Sequence, residues 1–470
     1  MKRVVVAFGA VVLAVAAACG AFSGGDATGP TTDADASSSD ASRGDATAVL
    51  DAGEGGLQLA WTWTGGGPGN DYAAAALAHG GAPYFVGTVV GNQTSFDAGG
   101  VGGTDTNGVV AKLLDDGGLA WVHASPSALG GSISSGSSDV IYSGFSRFTD
   151  GGYDFALEGL SRSTGESSMT DGFVGATGNR VVLTSAAAAA GGAYFIGISS
   201  GTGALTKNPA AFWAAKGSDV AIVQTFGTKA STVTGFQTSS AATPFSATVD
   251  YQGNLIIGGA FTSDVMIGAQ TLTSSDEDGF VVKMAPGGGV VFVRQFAGAN
   301  RQQILGTAAY LDRTVAVGRY LGELKIDDAG VATSLGTNLF VARLDAAGAV
   351  VWRHDLGPNT AEGSIARVAV DSRGNVIVGA SFQGTVKVAG AKLVSAGGQD
   401  VLLAVLDGAD GTALTALRFG GTGDDAIAGL EVGPSDEIYV AGSFTGTVDF
   451  GGSARTSRGG SDLYFMKLVR

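Results

Sequence analysis

His79, His123 and His354 are the only imidazoles in a chain of 470 residues. A metal site or a general base would need two of them to converge on a carboxylate. They fall in different copies of the repeat described below, so none is assigned as a ligand or a base. Gly197-Ile-Ser-Ser-Gly201 has the spacing of a nucleophile elbow. That chemistry requires a strand that turns sharply into a helix, with an acid and a histidine to follow. Ser199 instead aligns with Ser381, in the middle of a repeated strand. Gly421-Thr-Gly-Asp-Asp-Ala426 is spaced like a dinucleotide loop but runs into a strand, so no helix N-terminus meets a phosphate. The acidic groups Asp115-Asp116, Asp276-Glu277-Asp278, Asp327-Asp328 and Asp424-Asp425 lack the helix–loop–helix calcium spacing. They read as solvated turn residues. Calcium held by loops of several repeats is the one ion left open. No catalytic, cofactor-binding or metal-binding residue is assigned.

The elements that would position any site are repeated. Asp371-Ser-Arg-Gly-Asn-Val-Ile-Val-Gly-Ala-Ser-Phe382 has a near copy in Asp250-Tyr-Gln-Gly-Asn-Leu-Ile-Ile-Gly-Gly-Ala-Phe261, and a third in Pro434 to Phe444. Asp accepts hydrogen bonds from amides two residues on, and Gly supplies the positive φ of a hairpin turn. A second marker ends in a base and Leu or Met: Val109 to Leu113, Phe280 to Met284, Phe340 to Leu344, Leu402 to Leu406 and Tyr464 to Leu468. Its fourth position falls at 112, 283, 343, 405 and 467, a period close to 60. Phe155 to Gly159 and Val220 to Gln224 fill the wide gap and make seven copies.

Each unit reads as four strands. A small, apolar strand a precedes the Asp-x-x-Gly strand b. A Gly-rich excursion leads to strand c, and a second Asp-x-x-Gly turn leads to strand d, as in Ala349-Val-Val-Trp352. Four strands at this period predict an all-β, seven-bladed β-propeller of four-stranded blades over 57–470. Residues 123–240 fit worst, so six or eight blades stay open. The last copy stops at Arg470 without a strand d, and Gly56-Leu-Gln-Leu-Ala-Trp-Thr-Trp63 is an unclaimed strand d at the other end. Pairing the two beside Tyr464 to Leu468 would complete the last blade and remove both free edges. Trp61, Trp121 and Trp352 recur in strand d and read as packing residues. Trp63 and Trp213 lack counterparts and are the better candidates for exposed contacts.

Residues 1–18 read as an export signal. Lys2 and Arg3 precede an apolar stretch, Val4 to Ala18, too short to span a bilayer. It ends in Ala16-Ala17-Ala18-Cys19, which resembles the lipobox of bacterial lipoproteins with Ala16 in place of the usual Leu. The resemblance implies cleavage before Cys19 and lipid on its thiol. Cys19 is the only cysteine in the chain, so an internal disulfide is excluded. Gly20 follows rather than the Asp that retains such proteins at the inner membrane, which implies the outer membrane. Residues 19–56 are small, polar and acidic and read as a tether with an r.m.s. reach of roughly 30–35 Å. Removal of Lys2 and Arg3 takes the formal charge from −15 to −17, which argues against nucleic acid.

The units resemble the roughly 60-residue propeller repeats of bacterial cell-surface proteins known as SBBP repeats, best over 240–470. Such repeats mark a scaffold and carry no catalytic residues to transfer. Leu344-Asp-Ala-Ala-Gly-Ala-Val-Val-Trp352 also resembles the turn of quinoprotein-like propellers, one of which is a lipoprotein accessory of outer-membrane protein assembly. Ala347 stands where that turn has Thr. The expectation is a monomeric, outer-membrane lipoprotein at the periplasmic face or the cell surface. Its propeller would be a binding or structural scaffold for a protein or glycan. The alternatives are a propeller enzyme acting on glycans and an accessory subunit of an envelope assembly machine.

Overall fold

The Asp-x-x-Gly turns form as their chemistry dictates. Asp371 Oδ1 accepts the amides of Arg373 and Asn375 at 3.0 and 2.8 Å, and Asn375 Nδ2 donates to Oδ2 at 2.8 Å. Asp250 holds Gln252 and Asn254 in the same way. Gly374 and Gly253 take φ of +87° and +82°, which a Cβ would strain. In the computed structural model these turns join antiparallel strands into blades. The structure describes residues 56–470 apart from 92–93, 97–98, 102–105, 137–138, 150–151, 176–179, 190–191, 206–211, 227–228, 237–241, 327–330, 359–364, 389 and 452–453. Residues 1–55, Cys19 among them, lie outside the described residues, as do Asp327 and Asp328.

Seven four-stranded blades follow one another, each written here from innermost strand a to outermost strand d. Blade 1 is Tyr72–His79, Ala82–Val90, Thr106–Leu113 and Leu119–Pro126. Blade 2 is Ala128–Ser135, Val140–Thr149, Gly152–Ser161 and Ser167–Gly175. Blade 3 is Arg180–Ala189, Gly192–Leu205, Phe212–Phe226 and Lys229–Phe236. Blade 4 is Ala242–Val249, Leu255–Phe261, Asp278–Met284 and Val290–Phe296. Blade 5 is Asn300–Tyr310, Arg313–Lys325, Val331–Leu344 and Val350–Pro358. Blade 6 is Ala366–Val370, Val376–Phe382, Asp400–Leu406 and Ala413–Phe419. Blade 7 takes Asp425–Val432, Ile438–Asp449 and Ala454–Val469 from the end of the chain and Gln58–Gly65 from its beginning.

The closing strand pairs as expected. Leu59 lies opposite Leu468, Thr62 opposite Met466 and Trp63 opposite Phe465. Each innermost strand touches the innermost strands of the blades before and after it, all the way round. No helix occurs among the described residues. The awkward middle resolves into blades 2 and 3. They are fused into one eight-stranded sheet because Phe173, Val174 and Gly175 pair with Leu205, Ala204 and Gly203. The Ser-rich stretch near 132–138 and the Ala run near 186–190 blurred the repeat because they belong largely to innermost strands, where crowding favours small side chains.

Among the described residues the core divides into seven apolar clusters, one at each junction between blades. Phe340 of blade 5 shows the pattern. It is fully buried and stacks on Phe296 of blade 4 with ring centroids 5.7 Å apart. Burial of this kind stabilises by roughly 25 cal/mol per Å² of apolar surface removed from water. Each blade therefore depends on its neighbours for most of its core.

Candidate functional site: the central channel

The seven innermost strands surround a channel of about 540 Å³. Its wall is mostly Ala, Ser, Thr and Gly, as in Ala74–Ala78 and Ser132–Ser135. In six of the seven innermost strands, over the described residues, the register against strand b slips by one residue. A bulge of this kind leaves an extra residue out of the ladder. Leu305 and Ala428 are the extra residues of blades 5 and 7. Blade 6, between them, runs without a slip and carries Arg367. Its Nε donates to Ala428 O at 2.8 Å, and its Nη1 to Leu305 O at 3.4 Å and Ala366 O at 3.1 Å. One guanidinium thus spans the inner strands of three blades and satisfies carbonyls that the bulges release.

Glu431 is the second charged group of note. It lies on strand a of blade 7, three residues past the bulge. Gly429, two residues before it on the same face, sits against Ala75 and Ala76 of blade 1. Burial pushes the Glu431 carboxyl up to about 8, so it stands uncharged at neutral pH. The channel accordingly combines a fixed cation, Arg367, with a protonated acid among small residues. It places positive charge at the first and can donate a proton from the second.

His79 and His123 share blade 1, contrary to the expectation of different repeats, but on its innermost and outermost strands, and His354 lies in blade 5. His79 ends strand a of blade 1, and its Nε2 is buried without a hydrogen-bond partner. Burial, with Arg162 beside it, holds the ring below its ordinary range. His354 Nε2 lies 2.8 Å from Asp410 O, against the Trp352 ring. His123 Nε2 lies 2.7 Å from Glu158 Oε2. Ser125 and Arg147 both donate to Glu158 Oε1, at 2.9 and 2.8 Å. Burial pushes the Glu158 carboxyl up, but the bonds from His123 and Ser125 and the Arg147 charge outweigh it and hold the group ionised. This network fastens blade 1 to blade 2. Sequence reading missed it because His123 and Glu158 belong to different repeats. Among the described residues no three His, Cys, Asp or Glu side chains are placed to share an ion.

The repeated residues prove to be fasteners. Lys112 Nζ donates to Arg162 O at 2.9 Å in blade 2, and Lys283 Nζ to Asp312 O at 3.1 Å in blade 5. Lys467 Nζ bonds Asp115 in blade 1. The indoles of Trp61, Trp121 and Trp352 donate to Asp115 O, Arg162 O and Gly408 O, each in the next blade. Trp63 departs from expectation. It is 4% exposed and packs on Phe85 at 5.2 Å, because the closing strand turns it into the junction of blades 7 and 1. Ser199 lies buried within strand b of blade 3, so the elbow geometry is absent there. The loop at 421–426 is a clamp: Gly421 donates its amide to Asp425 Oδ2 at 2.7 Å.

Seven four-stranded blades in a closed ring define a β-propeller. No family model and no curated protein matches the chain. Among solved structures it is similar to the Dos1 propeller, at a TM-score of 0.44 and 10% identity over 87% of this chain and 95% of that one. A protein of unknown function from Dyadobacter fermentans aligns at 0.41 and 10%, over 88% of this chain and 98% of that one. The quinohemoprotein alcohol dehydrogenase of Comamonas testosteroni aligns at 0.39 and 12%, over 87% and 76%.

Proposed function

We propose that the protein is a lipid-anchored extracytoplasmic propeller that serves as a binding or structural scaffold, held to the outer membrane through Cys19. The observation that carries the binding role is a set of exposed apolar residues on the excursions between strands b and c of three consecutive blades. Met266 is 58% exposed on the hairpin Val265–Ile267 and Gln270–Leu272. Leu335 stands fully exposed on the long hairpin of blade 5, and Val394 is 48% exposed on that of blade 6. These hairpins rise on one face of three consecutive blades. Gln58 pairs with Val469, so the chain ahead of Leu57 leaves from the opposite face. An anchor on Cys19 would therefore leave the hairpin face turned toward a protein or glycan partner.

The test is capture from detergent-solubilised envelope by wild type and by the triple variant Met266→Ser, Leu335→Ser, Val394→Ser. A specific partner retained by the first and lost by the second supports the reading; equal capture overturns the assigned face. Metabolic palmitate labelling of wild type and Cys19→Ser tests the anchor. Label in both, or in neither, would sink it.

A further inference from the structure

Blade 7, the blade built from both ends of the chain, meets each neighbour through the same clamp. At the junction with blade 6, the Asp425 amide donates to Gln399 O at 2.7 Å, and the Gln399 amide donates to Asp424 Oδ1 at 2.9 Å. At the junction with blade 1, the Asp71 amide donates to Ser461 O at 2.8 Å, and the Ser461 amide to Asn70 Oδ1 at 3.2 Å. Asp400 follows Gln399 and Asp462 follows Ser461, so each clamp brings two carboxyl groups close enough to repel: Asp400 with Asp425, and Asp462 with Asp71. Asp400, Asp425 and Asp71 are 0% exposed and Asp462 is 3%. Their surroundings are closed. A Cβ on Gly66 would fall 2.2 Å from Asp462 Cγ, and one on Gly420 would fall 2.5 Å from Asp400 Cγ.

The charges at these borders do not balance. Arg418 pairs with Asp400, and one guanidinium faces two carboxyls there. Burial holds the Asp462 carboxyl above its ordinary value, and Arg458, whose amide donates to Oδ2 at 3.2 Å and whose charge lies beside it, only partly offsets this. Tyr464, from strand c of blade 7, faces Asp425 and adds no positive charge. Asp424 adds a further negative one. No cation bonds Asp425 or Asp71 among the described residues. Asp400 Oδ1, Asp425 Oδ1 and Asp462 Oδ1 are buried with no hydrogen-bond partner. Two adjacent buried carboxyls cannot both ionise without a counter-charge, and one proton between them removes the conflict. The junction of blades 4 and 5 supports this reading. There the Gln302 amide makes the same bond, to Glu277 O at 2.7 Å, and a neutral Gln occupies the slot of Asp425 and Asp71 beside Asp278.

We propose that blade 7 is latched into the ring by two protons, one held in each carboxyl pair, and that loss of these protons loosens the closure at that blade alone. Burial, the first cause in both cases, raises Asp425 to about 7 and Asp71 to about 6, and the partner carboxylates add to it. Opening returns both acids to ordinary values near 3.9 and releases the protons. The latch is therefore complete below about pH 4. It weakens as pH rises through the folded values and contributes nothing above about pH 7.

The experiment is hydrogen exchange of the full chain from pH 4.5 to 8, corrected for the intrinsic rate. Amides of blade 7 at 427–432 and 58–65 are compared with Val315–Val317 of blade 5, whose strand c carries Asn338 where blade 6 carries Asp400. Blade 7 should lose on the order of 100-fold in protection relative to blade 5, since each proton released changes the opening constant up to tenfold per pH unit. With Glu431→Gln in the background, which removes the other raised carboxyl of blade 7, Asp71→Asn with Asp425→Asn should shrink the difference to less than about threefold. An equal pH response of the two blades in wild type overturns the latch. So does an unchanged difference in this triple variant. Should that variant fail to fold, wild-type exchange still decides. Isotope-edited infrared spectra of Asp-labelled wild type add a second readout: the band of a protonated carboxyl at pH 6 is expected, and its absence overturns the proposal.

Discussion

Trp61 and Asp115 are 54 residues apart in sequence and belong to different blades, yet the Trp61 indole donates to the Asp115 carbonyl at 2.7 Å. The Lys467 ammonium bonds the carboxylate of the same residue. Asp115 thus receives one bond from the first strand of the fold and one from the last long strand. The Trp61 ring also covers Gly117, whose φ of +88° keeps the turn low enough to fit beneath it.

Trp61→Ala should lower unfolding stability by about 2–4 kcal/mol, toward the low side of a buried Trp truncation because the ring is partly exposed. Lys467→Met should lower it less. Urea titration followed by Trp fluorescence measures both. Loss of closure should also speed proteolysis within 56–65, and unchanged cleavage there would contradict the fastening role.

Lys283 and Asp250 form an ion pair at 2.7 Å with side chains 2% and 0% exposed. Asp250→Ala strands a buried ammonium and should cost about 3–5 kcal/mol. Replacing both partners, Asp250→Asn with Lys283→Met, should cost markedly less. Burial pushes Asp250 up, but the bonds from Lys283 and Asn254 outweigh it and hold it below its ordinary value. Its contribution is present above about pH 4 and is lost as pH falls through the depressed value. That dependence is opposite in sign to the one expected for Asp425.

Glu431→Gln should leave stability near pH 5 almost unchanged and raise it at pH 9. The folded value of about 8 means that the wild-type group adds most below its ordinary value, and that this advantage fades as pH rises to 8. Contact with channel water reduces the gain to about 1–2 kcal/mol. Thermal unfolding of both proteins across pH 5–9 checks it, and parallel curves would contradict the burial of this carboxyl.

Gly348 has φ of +84°, and a Cβ there would lie 2.7 Å from the Phe292 ring of the preceding blade. Gly348→Ala should destabilise by about 1–3 kcal/mol. Gly287, in the matching turn of blade 4, has open space around it, and Gly287→Ala should be neutral or slightly stabilising. Chemical denaturation of the pair separates a positive-φ turn glycine beneath a ring from one in open space whose φ is not positive.

The ring itself was legible because its signals are local. Asp371 with Gly374 makes a turn wherever it occurs, and the apolar run that follows has nowhere to go but a sheet. The closing strand was legible by subtraction, since Leu59 to Trp63 had no other blade to join. Junction chemistry was not legible. Asp278 and Asp425 read as solvated turn residues in the sequence; packing at the blade junctions buries them. His123 reads as isolated until Glu158 arrives from the next repeat. Trp63 reads as surplus until the closing strand turns it inward. Arg367 sits where six sister strands carry a bulge, an irregularity of register that no residue type announces.

The split origin of blade 7 bears on when the ring can finish folding. Strand d of that blade is made first and its partner, residues 454–469, nearly four hundred residues later. Until then the earliest strand has no neighbour to zip against and the circle stays broken. A polypeptide arranged in this way postpones its final cooperative step until residues 454–469 have been made.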